Sequence, residues 1–207
     1  ARTLVKAGHK VVATARRKER LDALVDELGS DKVLAIAADA TDYDQLAKVI
    51  EQAVAHHGRL DVAFANAGTG VSQPGTENGD PDEEGKRVVD ININALLWTA
   101  HATLPHLRES KGHFILTSSV AGRANHAGSI YSSSKWFAYG FGQNLAMEMA
   151  EWQGRCTTIT PGMVNTAFFD QPKPDKLDPQ DVADAVLYAI SASPRANIRE
   201  VHLMPTY

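Results

Sequence analysis

The stretch "HKVVATARRKERLDALVDELGSDKVLAIAADATD", residues 9–42, decides the fold. Residues 9–15 and 32–38 are short apolar runs of strand character, and 18–28 between them carries a helical pattern. The same unit recurs along the chain. Further strands are expected at 60–65, 113–118, 155–160 and 200–204, and further helices at 42–57, 83–106, 129–152 and 179–192. This alternation predicts an α/β fold with a parallel sheet covered on both faces by helices. The runs "VLAIA", "VAFA" and "FILT" are almost continuously apolar, as strands buried on both faces should be. Asp178 before Pro179 reads as an N-cap and first-turn pair, and Gly58 closes the helix that ends at His57. Two loops rich in turn formers, 68–81 and 161–178, follow strands. They fall on the carboxyl edge of the sheet, where open α/β folds bind ligands.

The chain has 207 residues, 43% hydrophobic and 22% charged, with a net charge of −4. One domain over 1–207 is expected, large enough to bury a sizeable core. The charge balance gives no reason to expect nucleic acid or an anionic membrane as a partner. No apolar run approaches the roughly 18 residues that a membrane span needs. The lone Cys156, in the apolar run "RCTTIT", cannot form an internal disulfide and agrees with a reducing, cytoplasmic setting. The eight histidines are scattered and none has zinc-site spacing, so no metal is expected.

The strongest chemical signal is "YSSSK" at 131–135. Positions i and i+4 share a helix face, so the Tyr131 phenol and the Lys135 ammonium lie one turn apart. A nearby cation stabilises a phenolate and lowers its pKa, which equips a tyrosine for proton transfer to or from a carbonyl or alcohol oxygen. The bland alternative is a surface tyrosine above a lysine. Upstream, "TSSVAG" puts Ser118 and Ser119 at the end of a strand, and "VDININAL" sets Asn92 and Asn94 inside an otherwise apolar helix. Asparagine is a poor helix former, so Asn92 reads either as a buried amide satisfied by backbone or as a site residue.

Together, "NAG" at 66–68, "DIN" at 90–92, "SSVAG" at 118–122, "YSSSK" at 131–135 and "PGMVNT" at 161–166 stand in the order and spacing of the short-chain dehydrogenase/reductase family, which the chain resembles over nearly its whole length. The resemblance implies a Rossmann-type doubly wound sheet, a nicotinamide cofactor, an Asn-Ser-Tyr-Lys tetrad and a homodimer or homotetramer. Tyr131 would be the proton donor in ketone reduction. Lys135 would hold the nicotinamide ribose and lower the Tyr131 pKa. Ser119, rather than Ser118, would bond the substrate oxygen where negative charge develops. Asn92 would hold a water between Lys135 and solvent, with Asn94 as its rival. Asn66, Ala67 and Gly68 would admit the adenosine ribose, Asp39 the adenine amino group, and Val164 and Thr166 the nicotinamide carboxamide. Each of these is otherwise a turn residue with a structural task. Trp98 and Trp136 lie on the two helices that build the family's main dimer interface.

Cofactor choice is read from "TARRKER". Ala15 stands where NAD-using members carry an acid, and Arg16 and Arg17 follow. Guanidinium suits the 2′-phosphate of NADP, and cations at a helix N-terminus oppose its dipole, so NADP(H) is favoured. His126 in "RANHAG" and the pair Phe168 and Phe169 are candidates for the substrate pocket. The family's Gly-rich phosphate turn is not found. "ARTLVKAG" at 1–8 matches the end of the family's first helix, so the natural protein is expected to carry roughly twenty or more residues before Ala1, including a first strand and that turn. The function expected is NADP(H)-dependent interconversion of a carbonyl and a secondary alcohol, acting on a small molecule. The alternatives are a non-catalytic nucleotide-binding sensor or scaffold and a nucleotide-sugar epimerase or dehydratase. The latter needs a C-terminal substrate domain.

Overall fold

The structure, a computed structural model, describes residues 1–73 and 75–206. Pro74, part of the loop read at 68–81, and Tyr207 lie outside the described residues. In chain order the elements are α1 (Arg2–Lys6), β1 (Val11–Ala15), α2 (Lys18–Leu28), β2 (Val33–Ala37), α3 (Tyr43–His57) and β3 (Val62–Ala65). A long helical stretch follows, in which α4 (Lys86–Val89) and α5 (Ala95–Ser110) are each preceded by a π-helical turn, Pro81–Gly85 and Asp90–Asn94. Then come β4 (His113–Thr117), α6 (Ile130–Ala150), β5 (Arg155–Pro161), α7 (Pro179–Ser191) and β6 (Glu200–Leu203).

Caps set the helix limits as the sequence predicts. Asp42 accepts from Gln45 N ahead of α3, and Gly58 ends it in the left-handed region at φ 78°. Asp178 and Asp181 form a reciprocal capping box around Pro179. The helix expected at 83–106 is longer at both ends. Asp80 caps its start with Pro81 in the first turn. Pro105 does not end it, because Pro105 and His101, the residue four before it, are both exposed, so the carbonyl left without a donor faces water.

All strand pairs are parallel, in two ladders, β2–β1 and β3–β4–β5–β6. No ladder joins β1 to β3 among the described residues. Burial follows this division. Phe114, Ile115, Leu116 and Ile159 of β4 and β5 are fully buried. On one face they meet Leu96, Ala100, Leu107, Ala138, Leu145 and Met149 of α5 and α6, and on the other Val186 of α7. The expectation of strands buried on both faces fails for β1, β2 and β3, which are only partly covered, with Phe64 38% exposed. β1 and β3 each lack a neighbour along one edge, and the side chains there lack that neighbour's cover.

The core also holds a neutral histidine. His113 opens β4 at 1% exposure, and burial holds its pKa down to about 3. Thr157 Oγ1 donates to Ile198 O, so it accepts from His113 Nε2 at 2.7 Å. That fixes the Nε2–H tautomer and leaves Nδ1 buried without a partner. Protonation is therefore available to the unfolded chain from its ordinary value of 6.5 downward, and to the fold only near 3. Stability is thus lost as pH falls through that window. Between pH 7 and 5, denaturant midpoints of the full chain should report a loss of roughly 2 kcal/mol from this group. In His113→Asn that part of the slope should vanish. An unchanged slope would show that His113 takes up its proton in the folded state.

Candidate active site

The helix α6 begins beneath Ser129, whose Oγ caps Ser132 N at 3.1 Å, and this start aims Tyr131 and Lys135 at the carboxyl end of β4. Lys135 is 5% exposed and donates from Nζ to Thr117 O at 3.1 Å, its one hydrogen-bond acceptor among the described residues. Burial lowers its pKa from 10.5 to about 8. The same Nζ lies 5.8 Å from the centre of the Tyr131 ring. Ser118 Oγ donates to Lys135 O at 2.7 Å, which makes Ser118 a tie between strand and helix. Ser119 instead caps the following turn, its Oγ accepting from Ala121 N at 3.1 Å, and its side chain bonds the Tyr131 hydroxyl.

The expected fall in the Tyr131 pKa is corrected by the structure. Burial raises it, and the bond to Ser119 offsets that only in part. Spacing along a helix brings the ammonium near, but the low-dielectric surroundings penalise the phenolate more than the hydrogen bond favours it. Tyr131 is thus a protonated phenol over the neutral range.

Asn92 sits in the π-helical turn Asp90–Asn94 and is 3% exposed. Its Oδ1 accepts from Thr69 N at 2.8 Å, and its Nδ2 donates to Thr69 O at 3.0 Å and Ser134 Oγ at 2.9 Å. Asn94 turns instead to Asp90 Oδ1 at 3.0 Å within its own helix. The geometry therefore brings Asn92, and not Asn94, to the other site residues. Both Asn92 N–H donors are committed, so the side chain clamps the loop after β3 to α6 and keeps only a lone pair on Oδ1 for a water.

Asn66, Ala67 and Gly68 are exposed at the end of β3, with Asn66 Oδ1 accepting from Thr117 Oγ1 at 2.9 Å. A Cβ on Gly68 would lie 3.4 Å from Lys135 Nζ and 3.7 Å from Asn92 Oδ1, so glycine leaves the approach to the ammonium open. Arg16 and Arg17 are exposed at the end of β1, with no ion pair or side-chain hydrogen bond among the described residues. Asp39 follows β2 with its Oδ1 bonded to Thr41 N and Oγ1, which shapes its own turn and, ahead of the field of Arg16, lowers its pKa. Val164 pairs with Leu177 across the base of the loop 161–178, and Thr166 Oγ1 accepts from Phe168 N at 3.3 Å.

His126 is exposed, its backbone oxygen accepting from Ser129 N. Phe168 does reach the site, its ring centre 5.8 Å from that of Tyr131. Sequence reading missed Ser134, Thr69 and Gly70. Ser134 lies within "YSSSK", but only the fold shows which of its serines turns inward.

A model of the family described as short chain dehydrogenase matches residues 1–177. An uncharacterized oxidoreductase of Staphylococcus aureus is 34% identical over 203 residues, 96% of this chain and 87% of that protein. Serine dehydrogenase from Escherichia coli superposes with a TM-score of 0.89 at 30% identity, over 99% of this chain and 90% of that one. A metagenomic short-chain oxidoreductase, solved in complex with NADP, gives 0.87 at 30% identity, over 100% and 90% of the two chains. With its fold, its motifs and these likenesses in agreement, the chain belongs to the short-chain dehydrogenase family.

Proposed function

We propose that this protein is an NADP(H)-dependent oxidoreductase that interconverts a carbonyl compound and a secondary alcohol. The observation that carries the reading is the Lys135 ammonium, nearly dry, beside Tyr131 and with one carbonyl partner. An ammonium has three donors, and the two left over, next to the side-chain-free Gly68, fit the hydroxyls of a ribose. Arg16 and Arg17, exposed near Asp39, fit the 2′-phosphate end. The NADP bound to the metagenomic relative supports the same choice, and the name serine dehydrogenase supports a hydroxyl-bearing substrate. Asn66, Ala67, Val164 and Thr166 complete the proposed cofactor contacts.

A bound dihydronicotinamide supplies a hydride. The protein supplies the rest. Ser119, whose oxygen accepts from Ala121 N and whose side chain bonds the Tyr131 hydroxyl, turns its hydroxyl proton to the substrate oxygen as charge gathers there. Tyr131 gives that oxygen its proton as the C=O double bond becomes a C–O single bond. Lys135 steadies the phenolate left behind, and Asn92 holds Thr69 and Ser134 in place around them. Trp136 on α6, which is exposed, supports a homodimer or homotetramer, whereas Trp98 on α5 packs edge-on against Tyr43 at 6.4 Å. The lone cysteine, Cys156, which is free and has no second cysteine to pair with, supports a reducing, cytoplasmic setting.

Tyr131→Phe in the full chain should abolish turnover of a generic diketone with NADPH and leave NADPH affinity nearly unchanged, as read by fluorescence titration. Retention of most activity would overturn the proton-donor role. Because burial raises the Tyr131 pKa, reduction should hold its rate through neutral pH and fall only in alkali, whereas oxidation should climb with pH. The opposite trends would place the proton elsewhere.

Arg16→Ala should weaken NADPH about ten- to a hundredfold, the worth of one charge-assisted hydrogen bond, and should barely change NADH. Equal losses for the two cofactors would remove Arg16 from the 2′-phosphate and leave Arg17 as the candidate.

A further inference from the structure

The loop 161–178 is pinned at its base, where Val164 bridges Leu177, with Asn165 N donating to Leu177 O and Leu177 N to Met163 O. Further in, Lys173 N donates across the loop to Asn165 Oδ1 at 2.8 Å, and Phe168 N and Phe169 N bond back to Thr166. The Phe168 ring carries the tip across to the rest of the site. It packs on Tyr131 at 5.8 Å between centres with planes inclined by 52°, and on Phe169 at 5.2 Å. Its far edge rests on Gly70, so closely that a Cβ there would lie 2.9 Å from Phe168 Cζ.

The Gly70 wall is the fixed side of this contact. Asn92 holds Thr69 by both its backbone groups, Arg87 donates to Gly70 O at 3.3 Å, and Glu84 accepts from Ser72 N at 3.1 Å. Phe168, 46% exposed, is the movable side. A substrate oxygen that reaches the Tyr131 hydroxyl must bring its substituents into the space that Phe168 covers. The surfaces offered there are the rings of Tyr131, Phe168 and Phe169 and the bare backbone of Gly70. Aromatic rings favour offset or edge contacts with another aromatic ring over a saturated group of equal size.

We propose that Phe168, docked on Gly70 and Tyr131, determines substrate specificity and selects carbonyl compounds that bear an aryl group next to the carbonyl. The proposal rests on the oxidoreductase reading for its chemistry, but the slot itself is a binding feature. In the full chain with NADPH, kcat/KM for acetophenone should exceed that for cyclohexyl methyl ketone by roughly two- to tenfold, the worth of one aromatic pair. Phe168→Leu should erase that ratio without changing NADPH affinity. Gly70→Ala should do the same, because the new methyl displaces the ring. Wild-type ratios in both variants would overturn the proposal, as would a wild-type preference for the cyclohexyl ketone or for a charged keto acid. Binding of the unreactive N-methylbenzamide and N-methylcyclohexanecarboxamide, followed by fluorescence, reads the slot without turnover. If no ketone is reduced but the aryl amide binds more tightly in a Phe168-dependent way, the slot stands and the oxidoreductase reading falls. If the two amides bind alike in that case, both fall.

Discussion

Lys135 sets an ammonium where water is almost excluded, and a charge in that position must be given acceptors or lose its proton. Burial there lowers its pKa to about 8. The fold gives the ammonium one acceptor and ties the backbone of the same residue with a second bond, both made by consecutive residues at the end of β4. Nζ donates to Thr117 O, and the Lys135 carbonyl accepts from Ser118 Oγ. One residue of α6 is thus tied to the strand by its head and by its backbone. These ties fix the axial register of helix against strand. Tyr131, one turn earlier, then comes level with Ser119, one residue further along the chain.

Much of this was legible because it is local. The strand and helix alternation, the caps at Asp42 and Asp178 and the one-turn separation of Tyr131 from Lys135 all follow from side chains close in sequence. What escaped depends on distant partners. The preference for Ser119 over Ser118 came from resemblance, and only the packing of α6 on β4 gives the reason for it. Asn92 and Asn94 are equivalent by composition and differ because residues two apart on a helix face different ways, Asn92 toward Thr69 and Ser134 and Asn94 toward Asp90. The Tyr131 pKa moved against expectation because spacing shows which charges are near and says nothing about the water removed. The partial exposure of β1 and β3 goes with the edge left unpaired between them among the described residues, which no strand shows by its own composition.

Burial is also unevenly shared between the parts of the site. Tyr131 and Lys135 stand on α6 and Ser119 just after β4, beside the cluster in which Phe114 and Leu116 of β4 are buried with Ala138, Leu145 and Met149 of α6. Arg16 and Asp39 follow β1 and β2, the two-stranded ladder whose side chains are only partly covered. Local opening costs least where few apolar groups are buried. The residues proposed for proton transfer therefore sit beside the more deeply buried elements, and the residues proposed for the adenosine end beside the more exposed ones.

The π turn at Asp90–Asn94 ties chemistry to the number of residues as well as to their kind. A π turn holds one residue more than an α turn, and each residue turns the helix by about 100°. Shortening this turn by one residue would restore an even helix, yet it would swing Asn92 away from Thr69 and Ser134 relative to everything that follows. The amide would still be in the chain and the helix would be more regular, but the loop after β3 would lose its clamp. At this position the length of the chain is itself a determinant of the site: substitutions that keep the count can leave the backbone path intact, whereas a single deletion redirects it.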